Sequence, residues 1–171
     1  MKLPVKKIAI QDANILIDLV NVGLFSHCLA LQFHFCTTEL IFAELNERQR
    51  FMIQPQIDSG KFEVISISVV QLFEIQLLSS RNRKLSEQDW SAVYFAEKLS
   101  ALLLSGDKML RKAADGMSIE VRGIIWLLDQ LLQLNIITEK EACTFLNQLL
   151  KQNQRLPPEE CRKRIELWCK G

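Results

Sequence analysis

The sequence lacks an excess of charge of either sign, and it lacks a long apolar run. Its 171 residues include 21 Lys and Arg against 20 Asp and Glu, a formal net charge of +1. This balance excludes a generally basic nucleic-acid binder, although it is compatible with a local basic patch. No apolar run reaches the roughly 18 residues that a membrane span requires. Residues 1–7 also lack the apolar region of a secretory signal. We therefore expect neither a membrane segment nor secretion.

The five cysteines follow no tight spacing of the kind that marks a disulfide framework. They are Cys28, Cys36, Cys143, Cys161 and Cys169. Their odd number and irregular spacing favour reduced thiols and a cytoplasmic location. A zinc site built from His27, Cys28, His34 and Cys36 is a minor alternative. Its spacing matches no usual zinc pattern, and the adjacent His27 and Cys28 would point to different faces of a helix.

Phosphate-binding loops of the G-x-G-x-x-G and G-x-x-x-x-G-K types are absent, as is the G-x-S-x-G motif of serine hydrolases. A nucleotide cofactor and a serine nucleophile therefore have no support. With 49% hydrophobic and 24% charged residues, the chain is typical of a globular protein. We predict one domain over residues 1–171, with a core at about 6–135 and a helical extension at about 138–170.

Short apolar segments alternate with segments of helical periodicity along the chain. We predict strands at 6–11, 32–36, 62–67, 101–104 and 118–121. We predict helices at about 15–24, 38–51, 69–78, 87–99, 108–114, 124–134, 138–152 and 159–168, with a polar basic loop at 79–84. Ser86 and Thr138 each begin a capping-box pattern. This alternation predicts an α/β fold with a mainly parallel sheet.

Two aspartates follow predicted strands directly. Asp12 comes after the first strand, and Asp107 comes after the strand at 101–104. In a parallel sheet the carboxyl ends of the strands share one edge, where ligands bind. Each residue could equally be the N-cap of the next helix, a position that Asp favours.

Two further acids have weaker local signals. Glu44 lies within the otherwise apolar segment 40–45, where an ionised carboxylate is costly unless it is paired or bound to a metal. A buried ion pair with an Arg, or a rotation that lets it reach water, would also explain it. Asp89 is explained locally as the fourth residue of the Ser86 capping box.

Taken together, the four acids indicate a shared site. Two carboxylates about 4 Å apart repel each other by roughly 4 kcal/mol at an effective dielectric near 20, so a cluster would need a cation. Carboxylate oxygens suit Mg²⁺ or Mn²⁺, which can activate water and neutralise charge on a phosphodiester. Asn14 could orient a ligand or Asp12, or it could merely begin its helix.

The same residues lie in four segments that resemble the motifs of the PIN domain family. These segments are 12–19, 41–45, 85–93 and 103–110, and the resemblance covers about 6–135. It implies a three-layer α/β/α fold and Mg²⁺- or Mn²⁺-dependent cleavage of RNA. It also implies that Asp12, Glu44, Asp89 and Asp107 hold the metal, and it places Ser105 at a small hydroxyl position before the last acid.

Many prokaryotic relatives in this family are toxins that a small antitoxin protein silences, and homodimers are common among them. The resemblance therefore implies an antitoxin partner and a homodimer. A non-catalytic PIN-like module that binds RNA or a protein is the alternative. Asp18 is an additional acid with no assigned role.

Basic residues flank two of the acids and could contact the RNA backbone. They are Arg81, Arg83 and Lys84 before Asp89, and Lys108, Arg111 and Lys112 after Asp107. They could equally form a solvated loop and helix face. Trp90 could stack on a base or be part of the core.

Overall fold

The computed structural model describes residues 6–170. The strands are β1 Lys7–Gln11, β2 Phe33–Thr38, β3 Phe62–Ile65, β4 Leu102–Leu104 and β5 Val121–Arg122. The helices are α1 Ala13–Asn21, α2 Phe25–Cys28, α3 Glu39–Glu44, α4 Glu47–Asp58, α5 Val69–Arg81, α6 Glu87–Lys98, α7 Lys108–Asp115, α8 Ile124–Gln133, α9 Glu139–Gln152 and α10 Pro158–Trp168. Across this described range, none of the helices has the length and apolar character needed to cross a membrane.

The five strands form one parallel sheet in the order β3-β2-β1-β4-β5. From β1 the chain first builds the sheet outward through β2 and β3. It then returns to the other side of β1 to add β4 and β5. The order of the strands therefore reverses between β1 and β4. A parallel sheet opens a crevice at such a point, outside the carboxyl ends of its strands.

Helices cover both faces of this sheet because successive residues of the buried strands point to opposite sides. On β1, Ala9 belongs to the apolar cluster of one face and Ile10 to that of the other. The first cluster contains residues of α1, α4, α8, α9 and α10, and the second contains residues of α5, α6 and α7. The predicted three-layer α/β/α fold is confirmed.

The C-terminal helices pack on the first of these faces. Leu146 of α9 and Trp168 of α10 are buried in the same cluster as residues of α1 and α8. The side chain of Asn153 donates a hydrogen bond of 2.6 Å to Asp18 on α1. Asp18, which had no assigned role, therefore helps to attach the C-terminal segment. That residues 1–171 form one domain stays a prediction, and this shared cluster supports it.

Several predicted element boundaries are wrong. The helix predicted at 38–51 is two helices, because Asn46 and Gln49 form a capping box that starts α4 anew. The loop predicted at 79–84 is shorter, since α5 continues through Arg81. The strand predicted at 118–121 begins only at Val121, because Ser118 has a positive φ of 57° that does not fit a strand. The capping boxes at Ser86 and Thr138 are confirmed.

The expectation of five reduced cysteines is wrong for two of them. Cys143 and Cys169 form a disulfide, with their Cα atoms 5.5 Å apart. Sequence spacing gave no sign of this pair, because the packing of α10 on α9 brings the two residues together. Cys28, Cys36 and Cys161 are free and buried. The cytoplasmic location stays a prediction.

Candidate functional site

Asp12 and Asp107 lie at the carboxyl edge of the sheet, beside the point where the strand order reverses. Asp12 directly follows β1, and its backbone N–H donates a 3.0 Å hydrogen bond to the carbonyl of Leu104 at the end of β4. Asp107 comes three residues after Leu104. Because β1 and β4 are paired neighbours, the fold brings these two segments of the chain together.

Asp12 is buried, with only 1% of its surface exposed. One carboxylate oxygen accepts a 2.8 Å hydrogen bond from the N–H of Ile15 and so caps α1. The other accepts a hydrogen bond from the hydroxyl of Ser105. Burial raises the pKa of Asp12 from 3.8 to about 7, against the lowering effect of these hydrogen bonds, and the charges of Asp89 and Asp107 raise it further. Asp12 is therefore both a helix cap and a strongly perturbed carboxylate.

Ser105 connects Asp12 to Asp107. Its side chain is fully buried. The hydroxyl donates to Asp12 and accepts a 3.0 Å hydrogen bond from the backbone N–H of Asp107. A single hydroxyl group thus fixes the orientation of one acid and the backbone of the other.

Asp107 caps α7. One of its carboxylate oxygens accepts hydrogen bonds of 2.7 Å from Met109 N–H and 2.9 Å from Leu110 N–H. The capping interpretation of Asp107 is therefore correct. Within residues 6–170 the second oxygen has no hydrogen-bond partner, so capping leaves one oxygen of Asp107 available to a ligand.

Asp89 closes the capping box of α6. One carboxylate oxygen accepts hydrogen bonds from the backbone N–H of Ser86 at 3.2 Å and from its hydroxyl at 2.8 Å. The negative charge of Asp89 nevertheless raises the pKa of both Asp12 and Glu44. Asp89 is therefore the acid that links Glu44 electrostatically to Asp12.

Glu44 is exposed, contrary to its expected place among buried residues. It is the last residue of α3, a helix of only six residues, so its side chain reaches solvent while Ile41 and Leu45 are buried. The alternative that Glu44 reaches water is correct. Partial desolvation raises the pKa of Glu44, and the charge of Asp89 adds to this effect.

The charges of Asp89 and Asp107 act on Asp12, and the charge of Asp89 acts on Glu44, but the four acids do not converge on one point. In the part of the chain that the structure describes, no three His, Cys, Asp or Glu side chains converge closely enough to hold a metal ion. That result also leaves the zinc alternative without support. The four acids still suit a divalent cation in two respects. All of their donors are carboxylate oxygens, and the charges of Asp89 and Asp107 disfavour ionisation of Asp12.

The basic residues near the site fall into two groups. Exposed side chains include Arg81 at the end of α5, Arg83 and Lys84 in the following loop, and Lys108 and Lys112 on α7. Arg111 differs because it is half-buried and donates hydrogen bonds to the carbonyls of Val121 at 3.1 Å and Ser105 at 3.4 Å. The structure therefore gives Arg111 a role in holding the β4 and β5 ends. Contacts of all six residues with RNA stay predictions.

Two other residues with predicted roles are placed clearly. Trp90 is only 6% exposed, and its indole N–H donates a 3.1 Å hydrogen bond to the carbonyl of Asn82. Because the indole ring of Trp90 is buried in the core, neither of its faces is open enough for a base to stack on it. Asn14 is exposed in the first turn of α1, two residues after Asp12, and its contact with a ligand stays a prediction.

Four buried polar residues were not predicted from the sequence to belong to the site, although Thr37 or Thr38 was expected to cap the following helix, as Thr38 does. Thr37, Thr38 and Ser91 are fully buried, as is Gln11. The sequence places the two threonines directly after the strand predicted at 32–36, and nothing in the sequence pairs them with Ser91. Two surface depressions lie elsewhere. One is beside Trp168, and the other is at the opposite sheet edge near Lys7. Neither is lined by the four acids.

The protein is thus an α/β/α fold with a parallel sheet and two aspartates at the carboxyl edge of that sheet. A family model described as a PIN domain matches residues 8–170, nearly the whole chain. The chain therefore belongs to the PIN domain family, whose members are generally nucleases and typically use divalent metals. Among curated proteins, none matches the chain.

Proposed function

We propose that this protein is a metal-dependent endoribonuclease that hydrolyses RNA phosphodiester bonds at the carboxyl edge of its sheet. The observation that carries this proposal is the state of Asp12. It is buried and held by Ser105, and the negative charges of Asp89 and Asp107 oppose its ionisation. A bound divalent cation would relieve this repulsion.

Asp12, Glu44, Asp89 and Asp107 would hold Mg²⁺ or Mn²⁺. When bound, such an ion supplies an activated water and neutralises charge on the phosphodiester. Without it, Asp12 holds a proton for much of the time near pH 7, since its pKa is raised to about 7. Cation binding is therefore linked to loss of that proton, and Ser105 keeps the carboxylate in one orientation throughout.

RNA would bind across the same edge. The exposed Arg81, Arg83, Lys84, Lys108 and Lys112, together with Asn14, would contact the sugar-phosphate backbone. A net charge of +1 is compatible with such contacts, because binding to phosphates requires only a local group of cations. Arg111 would belong to this set only if it released its two carbonyl partners.

The test is cleavage of a single-stranded RNA with and without Mn²⁺. We expect Asp12→Asn to lower the cleavage rate at least about 100-fold, as removal of a charged group from the reacting site does. Asp18→Asn is the matched control, because it makes the same chemical change on the same helix, away from the site. Cleavage that survives Asp12→Asn would disprove the proposal.

The alternative is a non-catalytic module that binds RNA or a protein. One observation favours it, namely that no three acids converge within residues 6–170. Binding of RNA without cleavage at saturating Mn²⁺ would establish this alternative.

We further propose a homodimer through the exposed side of α5. Val69, Val70 and Phe73 of this helix are 85%, 70% and 68% exposed, and Leu77 continues the apolar stripe. Together they present on the order of 400–500 Å² of apolar surface, which is within the range of the largest apolar patch on a typical monomer, a patch that is often functional. Pairing of two such stripes would bury about 1,000 Å², near the lower limit for a specific interface.

Light scattering tests this dimer. We expect Phe73→Glu to give a monomer and Leu167→Glu, an exposed leucine on α10, to leave the dimer intact. A wild-type monomer would contradict the dimer and leave α5 available to another protein. An antitoxin encoded next to this gene would be the first such partner to test, and co-purification with it would establish the toxin role.

A further inference from the structure

Two helices of the candidate site are joined by a buried pair of hydroxyl groups. Thr38 lies at the end of β2 and caps α3, the helix that carries Glu44, while Ser91 lies on α6, the helix that carries Asp89. We infer that Thr38 and Ser91 are positioning residues that fix α3 against α6 and so set the distance of Asp89 from the other acids. This inference rests on the proposed function.

The two side chains are fully buried and lie 53 residues apart in the sequence. Their hydroxyl oxygens are 2.6 Å apart, a short distance for a hydrogen bond between neutral groups. Helices α3 and α6 pack directly on each other around this pair. The contact is therefore a buried hydrogen bond between the N-cap of α3 and the side of α6.

The remaining hydrogen bonds fix the direction of this link. The oxygen of Ser91 lies 2.6 Å from the carbonyl of Gln88, so the single hydroxyl proton of Ser91 is donated there. The proton between the two hydroxyls must then come from Thr38. The Thr38 oxygen in turn accepts a 3.3 Å hydrogen bond from the N–H of Ile41. The result is one chain of donors from Ile41 through Thr38 and Ser91 to Gln88.

This chain ends in the turn that carries Asp89. Gln88 directly precedes Asp89, whereas the hydrogen bonds of the Asp89 side chain within residues 6–170 all go to Ser86 in the same helix cap. The capping box thus orients Asp89 on α6 but does not connect it to the sheet. Thr38 at the end of β2 supplies that connection, and it leaves no buried hydroxyl unpaired.

The first measurement is the dissociation constant for Mn²⁺ in the absence of RNA, with binding monitored by electron paramagnetic resonance. We expect Thr38→Val and Ser91→Ala each to weaken Mn²⁺ binding roughly tenfold, the low end of the loss seen when outer hydrogen-bond partners of a metal site are removed. The double variant should be no worse than either single variant, because each removes the same link. Thr38→Ser keeps the hydroxyl and should restore wild-type binding.

Thr37→Val is the matched control. Thr37 is the neighbouring threonine on β2, is equally buried, and donates a 2.9 Å hydrogen bond to the carbonyl of Gln11 rather than to α6. Its removal deletes the same atoms without breaking the helix contact. An equal loss of Mn²⁺ affinity in Thr37→Val, or additive losses in the double variant, would overturn the inference. If Thr38→Val does not fold, Ser91→Ala removes the same link and is compared with Thr37→Val in its place.

A second readout separates this inference from the proposed function. The backbone amide of Asp89 should shift in the NMR spectrum of Thr38→Val and Ser91→Ala but not in that of Thr37→Val. If the wild-type protein binds no Mn²⁺ while the two variants show these amide shifts, the proposed function is disproved and the positioning role of Thr38 and Ser91 is supported. If all variants bind Mn²⁺ normally and show no amide shifts, the positioning role of Thr38 and Ser91 is disproved, while the proposed function is supported.

Discussion

The hydroxyl of Ser105 donates a hydrogen bond to the carboxylate of Asp12, although the two residues are 93 positions apart in the sequence. The same hydroxyl oxygen accepts the N–H of Asp107 at 3.0 Å. The ends of β1 and β4 are thus joined by a buried polar contact at the point where the strand order reverses. Both the stability and the chemistry of this edge should therefore depend on the ionisation of Asp12.

Asp12→Asn should change the pH dependence of stability. The folded protein holds a proton on Asp12 up to pH about 7, whereas the unfolded chain loses it near pH 3.8, so wild-type stability falls as the pH rises through this window. Asparagine cannot ionise. Urea unfolding in chelator should show the variant more stable at pH 8 by about 3–4 kcal/mol, with the difference vanishing near pH 4. Parallel pH profiles for the two proteins would contradict this expectation.

Asp107→Asn should stabilise the protein in chelator by about 0.5–1 kcal/mol, because it removes a charge that opposes ionisation of Asp12 while asparagine still caps α7. In saturating Mg²⁺ the gain should shrink or reverse, since the variant loses a ligand. Thermal unfolding under both conditions tests this. Glu166→Gln, an exposed charge on α10, serves as the control and should respond alike in both. Equal gains for Asp107→Asn with and without Mg²⁺ would count against a shared cation.

Arg111 and Lys112 should behave differently despite being adjacent. Lys112→Ala should reduce the slope of the logarithm of the RNA binding constant against the logarithm of the salt concentration by about one, as loss of one phosphate contact does. Arg111→Met should instead destabilise the fold by about 1–2 kcal/mol, because it removes hydrogen bonds to Val121 and Ser105. Binding is measured in Ca²⁺ over a series of salt concentrations. If Arg111→Met reduced this slope as much as Lys112→Ala does, Arg111 would contact RNA as well.

Gln11→Met should stabilise the protein by about 1–2 kcal/mol. Both polar atoms of the Gln11 amide are buried without a hydrogen-bond partner in the described range, and methionine fills a similar volume without polar atoms that need partners. Denaturant unfolding measures the change, and Gln32→Met, at an exposed position, should have little effect. A loss of stability in Gln11→Met would show that a buried water satisfies the amide.

The arrangement of Asp12 and Asp107 could be predicted from the sequence, because both follow apolar strands and parallel strands end at one edge. The capping box around Asp89 could be predicted for the same kind of local reason. The environment of Glu44 could not, since it depends on where α3 ends, and the capping box at Asn46 decides that. Nor could the partners of Arg111, because the β5 carbonyl that it binds belongs to a strand of only two residues.

Local sequence patterns predict the alternation of strands and helices, the acids that follow two strands, and the helix caps at Ser86 and Thr138. These depend on neighbours within a few positions, where periodicity and capping chemistry act. The contacts of Ser105 with Asp12, of Thr38 with Ser91 and of Cys143 with Cys169 became apparent only from the three-dimensional fold. Such pairs form where whole helices and strands pack. How these elements pack is determined by the burial of many apolar side chains together, so the two residues of such a pair do not by themselves determine their contact.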